Sequence, residues 1–159
     1  MTAPAVAPLV IIGIGNAMRR DDGVGLAAIA HLEDTESNSA DGAVEFRALD
    51  GEPTRLIEAW RGRRRAVVID AARAGATAGA IHRVEVGVDP LPDWANIASS
   101  HSAGLAEAIA LARAVDALPD QLIVFGVEPG DLSMGEGLSA EVESAVPPLV
   151  QRILDEVAA

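Results

Sequence analysis

The chain of 159 residues contains no cysteine and no lysine. Without cysteine it can form no disulfide and can supply neither a catalytic thiol nor a thiolate ligand, so any metal must be bound by oxygen and imidazole. Without lysine the phosphate-binding motif GxxxxGK[ST] is excluded. The patterns HExxH, GxSxG and SxxK are absent as well, which excludes the common sequence signatures of zinc and serine hydrolases.

Positive charge and long apolar runs are also scarce. The acidic residues outnumber the arginines by 24 to 12, which argues against a general affinity for nucleic acid or anionic membranes. No apolar run reaches the roughly 18 residues that span a bilayer, and the N-terminus lacks the basic flank of a signal peptide. We therefore expect a soluble cytoplasmic protein without a nucleic-acid or membrane partner. A local cluster, Arg61 and Arg63 to Arg65, is expected to lie in a solvated loop.

The length predicts one domain, residues 1–159, with one core. Strands are predicted near residues 8–14, 43–49, 65–71, 79–86 and 120–127, and helices near residues 22–34, 52–61, 101–116 and 139–157. This order is typical of a single doubly wound α/β domain in three layers with a mostly parallel five-stranded sheet. The fourth strand follows the third after only the loop ARAGATAG, too short for a helical crossover, so we expect it antiparallel at an edge.

The segment from Leu9 to Leu32, LVIIGIGNAMRRDDGVGLAAIAHL, joins an apolar strand to a helix through a glycine turn. Met18 stands where a dinucleotide fingerprint needs its third glycine, so that motif is incomplete. Asp21 and Asp22 stand where the helix is predicted to begin, and an acid there can cap the helix and interact favourably with its dipole. We expect at least one of them to stay ionised. Capping alone and a catalytic role both remain open.

Two further polar residues fall at the same edge of the predicted sheet. Asp70 ends the apolar strand RAVVID, where it could cap a loop or pair with Arg73, and His101 precedes an alanine-rich helix. With Asp22 they would form an oxygen and nitrogen donor set suited to a borderline divalent ion with open positions. Without a metal, the two carboxylates could act as an acid and base pair. His82 is expected to be a half-buried packing residue on the edge strand.

Five blocks follow one another from Leu9 to about Leu154: GIGNAMRRDDGVG, LDG, VVIDAARAG, SSHSAGL and FGVEPGDLSMGEGLSAEVESAVPPLVQRIL. Together they resemble the hydrogenase maturation endopeptidase family over nearly the whole chain. The resemblance implies a cytoplasmic protease, expected to be a monomer, that removes a short C-terminal extension from the large-subunit precursor of a nickel-iron hydrogenase after nickel insertion. In that family the nickel is part of what is recognised, so it is expected to arrive with the precursor rather than to be bound permanently.

The resemblance also implies roles for individual residues. Asp22, Asp70 and His101 match the family's nickel-contacting residues and are the expected catalytic and metal-binding set. Asn16 and Asp21 match positions with a supporting role. Two other functions remain open: a non-catalytic module that senses or chaperones a metalloenzyme precursor, and a metal-independent aspartic-type protease. Residues 128–138, rich in glycine, are expected to form a mobile loop that frames the substrate.

Overall fold

The computed structural model describes residues 6–36, 43–92 and 102–158. Five strands and four α-helices lie within these ranges, and their ends fall within two residues of the predicted ones. The strands are β1 (Leu9–Ile14), β2 (Val44–Leu49), β3 (Arg65–Ala71), β4 (Ile81–Glu85) and β5 (Gln121–Val127), and the helices are α1 (Val24–Glu36), α2 (Pro53–Trp60), α3 (Ser102–Ala114) and α4 (Ala140–Ala158). A short 3-10 helix, Arg20–Gly23, precedes α1. No helix in the described ranges is both long and apolar enough to cross a membrane.

The strands form one mixed sheet in the order β2-β1-β3-β5-β4. β1 is parallel to β2 and β3, and β3 is parallel to β5. β4 lies at the edge and pairs antiparallel with β5, which confirms the predicted antiparallel edge strand. It pairs with β5 rather than with the preceding strand because β1 and β5 already occupy both sides of β3.

Helices cover both faces of the sheet and enclose two apolar cores. α1 and α4 pack on one face around Ile29, Phe125 and Leu149, and α2 and α3 pack on the other around Trp60, Leu105 and related side chains. The inner strands are therefore buried on both faces, which explains their continuous apolar runs. This is the predicted three-layer α/β architecture, but the sheet divides the apolar interior into two cores where the length predicted one.

The strand order reverses between β1 and β3. The chain runs from β1 through α1 to β2 on one side, and from β2 through α2 to β3 on the other. In open α/β sheets the carboxyl ends of two strands that diverge in this way border a crevice where ligands bind. The topology thus places the residues that follow β1 and those that end β3 at one crevice.

The start of α1 lies directly against the ends of these two strands. A Cβ atom on Gly25 would stand only 2.5 Å from the carbonyl oxygen of Ile14 and 2.6 Å from that of Ile69. No side chain fits between the helix and the sheet at this point. The close approach brings the turn before α1, which carries Asp22, toward the end of β3, which carries Asp70.

The arginine cluster forms the predicted solvated loop only in part, because Arg61 and Arg64 are exposed there whereas Arg63 and Arg65 are not. Arg63 is only 7% exposed, donates hydrogen bonds to the carbonyl oxygens of Ala59 (3.1 Å) and Ala7 (2.9 Å), and lies 3.2 Å from a Glu45 carboxylate oxygen. Arg65 is half-buried and donates to a carbonyl in the last turn of α4. These two cations tie chain segments together, so the expectation was wrong for them.

Candidate functional site

Asp22 lies in the 3-10 helix that precedes α1, two residues before the α-helix begins. Its side chain is buried, with 4% of the residue exposed. Oδ2 accepts a hydrogen bond of 3.0 Å from the backbone N–H of Asn16, and Asn16 Oδ1 in turn accepts one of 2.9 Å from the N–H of Met18. Asn16 therefore shapes the turn around Asp22, which gives the predicted supporting residue a structural basis.

Asp70 lies near the carboxyl end of β3 with 3% of the residue exposed. Burial raises the pKa of this carboxyl group well above its ordinary value, and the charge of Asp22 raises it further. A hydrogen bond of 2.8 Å from the N–H of Ala71 to Oδ1 acts in the opposite direction. Arg73, the predicted alternative partner, is exposed and forms no ion pair with Asp70 within the described ranges. The two carboxyl groups are electrostatically coupled at the crevice.

His101 lies outside the described residues, so its part in the site remains a prediction. The helix that directly follows it does reach the carboxyl edge of the sheet. A Cβ atom on Gly104, in the first turn of α3, would stand 2.1 Å from the carbonyl oxygen of Gly51 in the loop after β2. Within the described ranges, no three acidic or histidine side chains are grouped closely enough to hold a metal ion.

We expect Gly104→Ala to destabilise the protein by about 1 to 3 kcal/mol, because the methyl group meets rigid backbone at Gly51. Alanine is otherwise favoured over glycine in a helix by about 1 kcal/mol. A net loss of stability would therefore come from the contact with Gly51. Urea unfolding measures the effect. Ala110→Gly, at an exposed position of the same helix, is the control for propensity alone. Unchanged or increased stability in Gly104→Ala would show that α3 is not held against this loop.

Asp21 is fully buried and does not cap the helix that follows it. Its Oδ2 accepts hydrogen bonds from the N–H groups of Gly130 (2.8 Å) and Asp131 (2.7 Å), and Ser139 donates its N–H to Oδ1 (2.7 Å) and its hydroxyl to Oδ2 (2.8 Å). Burial alone raises the pKa of Asp21, but these hydrogen bonds outweigh it and lower the pKa below its ordinary value. One of the two aspartates is thus held ionised by hydrogen bonding rather than by capping.

Backbone hydrogen bonds attach the same segment, predicted as a mobile loop, to the turn that carries Asp22. The N–H of Arg20 donates to the carbonyl of Gly135 (3.0 Å), and the N–H of Gly135 donates to the carbonyl of Met18 (2.8 Å). The N–H of Asp21 donates to the carbonyl of Asp131 (3.0 Å). Residues 130–139 therefore lie beside the candidate site and are anchored to it.

Glu128 was not among the predicted site residues, although it directly follows β5 and is buried. Its carboxylate accepts hydrogen bonds from the N–H groups of Ala74 (2.7 Å) and Gly75 (3.1 Å), so it holds the loop that follows Asp70. His82 Nε2 lies 3.8 Å from Oε2, and the His82 side chain is 26% exposed, as predicted for a half-buried residue. The signal that singled out Asp70, an acid at the end of an apolar strand, also applies to Glu128.

These features define an α/β protein with coupled, buried carboxyl groups at the switch point of its sheet. The family model for hydrogenase maturation proteases matches residues 41–156. The chain belongs to the hydrogenase maturation protease family.

Individual relatives cover most of the chain. The hydrogenase expression/formation protein HupD of Thiocapsa roseopersicina is 29% identical over 153 residues, which are 94% of this chain and 67% of that protein. The hydrogenase expression/formation protein HoxM of Azotobacter vinelandii is 29% identical over 153 residues, or 92% of this chain and 70% of that protein. The hydrogenase maturating endopeptidase HybD from E. coli has the same fold, with a TM-score of 0.76 at 21% identity over 94% of this chain and 91% of that chain.

Proposed function

We propose that this protein is an endopeptidase that removes the C-terminal extension of a nickel-iron hydrogenase large-subunit precursor after nickel insertion. Family membership supports the peptidase activity and the class of substrate. The observation that carries the site is the pair of buried, coupled carboxyl groups of Asp22 and Asp70 at the switch point. The proposal takes the chain as a single-domain cytoplasmic monomer.

In this proposal the nickel belongs to the substrate, held by thiolates of the precursor. Asp22, Asp70 and His101 would contact it, because carboxylate oxygens and an imidazole nitrogen are suitable donors for a borderline divalent ion. This chain has no cysteine, so it has no thiolate with which to remove the nickel from the precursor. A precursor without nickel lacks the anchoring contact, and metal loading thereby becomes a checkpoint for cleavage.

The reaction is hydrolysis of one amide bond. The water oxygen attacks the carbonyl carbon, the C–N bond breaks, and a carboxylate of the pair takes a proton from the water and passes it to the leaving amine. Burial of both carboxyl groups strengthens their interactions with the reacting atoms. The N-terminal end of the helical segment next to Asp22 supplies partial positive charge for the developing oxyanion.

The test is incubation of the purified protein with a hydrogenase large-subunit precursor, with and without its nickel, followed by intact mass measurement. We expect loss of a short C-terminal peptide from the nickel-loaded form alone, because only that form makes the metal contact. A precursor that already lacks its extension is the control for unspecific proteolysis. Binding of the loaded precursor without cleavage would support a sensing or chaperone module instead.

The raised pKa of Asp70 beside Asp22 favours one alternative specifically, a metal-independent aspartic-type protease. Such enzymes catalyse hydrolysis with two coupled carboxyl groups that share a proton, and the pKa of Asp70 is raised in part by the charge of Asp22. This alternative expects equal cleavage of both precursor forms, an acidic optimum and no effect of His101→Ala. The metal-guided proposal expects His101→Ala to slow cleavage of the loaded form strongly.

A further inference from the structure

An open groove of about 300 Å³ lies along the start of α1, and we call it the α1 groove. Its walls come from the turn after β1, from α1 and from the segment before α4: Ala17, Arg20, Gly23, Leu26, Ala27 and Leu138. None of the described residues that line it is acidic, although the chain as a whole carries a formal charge of −12. The volume is at the lower end of the range of about 300 to 1,000 Å³ that is usual for ligand sites. It therefore suits one or two side chains of a bound peptide.

Two residues that line the groove are adjacent in sequence to residues of the candidate site. Gly23, in its wall, directly follows Asp22, and Ala17 directly follows Asn16, whose N–H hydrogen bonds to the Asp22 carboxylate. A chain that occupies the groove therefore passes beside the turn that carries this carboxylate. The groove and the carboxylate thus share one turn of the chain.

Two exposed methionines belong to the segments that form the groove. Met18 is 49% and Met134 is 75% exposed, and the backbone hydrogen bond from Gly135 to Met18 joins their segments. Exposed apolar side chains on neighbouring segments can extend an apolar binding surface. Methionine is unbranched and polarisable, so it adapts to apolar partners of different shape. This pairing indicates contact with an apolar segment of a polypeptide.

We propose that the α1 groove is a substrate subsite that binds an apolar side chain of the precursor close to the peptide bond that is cut. The inference rests on the proposed function, because the occupant is the substrate chain itself. The groove contributes ground-state binding and positions the chain, whereas Asp22 and Asp70 act on the reacting atoms. Loss of the groove should accordingly raise KM and leave kcat nearly unchanged.

The test measures cleavage kinetics on the nickel-loaded precursor. Ala27→Phe fills the groove from α1, and Met18→Ala with Met134→Ala removes the two exposed methionines of the segments that form it. We expect the KM of Ala27→Phe to rise by about tenfold or more, and that of the double variant by about threefold to tenfold, with kcat within about twofold of the wild type. Ala110→Phe and Val88→Ala, at exposed positions elsewhere, are the matched controls and should keep the wild-type KM.

Unchanged KM in a folded Ala27→Phe variant, or an equal rise in Ala110→Phe, would overturn the subsite. If Ala27→Phe does not fold, the double variant decides, because both methionines are exposed and their removal leaves the core intact. A wild-type protein that binds the precursor without cleaving it overturns the proposed function and not the groove. The Kd of each variant for the loaded precursor then tests the groove. A tenfold higher Kd for Ala27→Phe than for the wild type would support it. A wild type that neither binds nor cleaves the loaded precursor overturns both.

Discussion

Replacing Asp70 by asparagine should reduce kcat/KM for precursor cleavage by about 10²- to 10⁴-fold while the fold remains intact. The amide has nearly the same shape and keeps an oxygen to accept the hydrogen bond from the N–H of Ala71. It cannot carry the negative charge that a metal contact needs, and it cannot accept and return a proton. Circular dichroism checks the fold, and the rate of mass loss of the loaded precursor gives the activity.

Stability gives the same variant a second, independent readout. The pKa of Asp70 is raised in the folded state above the unfolded value of 3.8, so the folded protein bears a penalty for ionising this buried group. That penalty is absent at pH values below 3.8 and becomes complete as the pH rises through the folded-state pKa. We therefore expect Asp70→Asn and wild type to unfold alike in acid, and the variant to be the more stable of the two at high pH.

Asp34→Asn, an exposed substitution on α1, is the control for both readouts and should match the wild type. Full processing by Asp70→Asn would remove this carboxyl group from the mechanism. Lower stability of the variant at high pH would instead show that the ionised group is stabilised by a partner.

The fold was accessible from the sequence because its signals are local. The apolar runs of β1, β3 and β5, and the short loop before β4, are each contained in fewer than a dozen consecutive residues, and each element was predicted within two residues of its observed ends. Even so, the predicted helix start at residue 22 merged a 3-10 helix with α1. The 3-10 helix is made of an arginine, two aspartates and a glycine, so it has no apolar side chains by which periodicity could reveal the boundary.

The site was accessible only in part, because its contacts join distant segments. Spacing does place Asp22 and Asp70 at one sheet edge, since parallel strands end together. It does not reveal that Asp21 receives its hydrogen bonds from a segment more than 100 residues away. The burial of Arg63 was missed for the same reason. Its partners include Ala7, which precedes β1, and Glu45 in β2, and both are distant in sequence. Side-chain partners of this kind are set by tertiary packing.

Replacing Asp21 by alanine should lower the free energy of unfolding by about 3 to 5 kcal/mol, the largest stability effect that we expect from one polar side chain in this protein. The change leaves three backbone N–H groups and one hydroxyl without their buried acceptor. Because these groups belong to residues 130–139, we expect that segment to lose protection from hydrogen exchange before the rest of the molecule. Urea unfolding and hydrogen exchange measure the two effects.

The pH dependence separates the charge of Asp21 from the mere presence of an oxygen. The pKa of Asp21 is lowered in the folded state, so its stabilisation is complete above the unfolded value of 3.8 and is lost as the pH falls through the folded-state pKa. Asp21→Asn keeps one acceptor but turns an NH₂ group toward amide donors, and its deficit should be greatest above pH 3.8 and shrink in acid. Glu136→Gln, an exposed change in the same segment, should alter stability little. A deficit of Asp21→Asn that stays constant from neutral pH into strong acid would mean that shape rather than charge holds the segment beside the carboxylate pair.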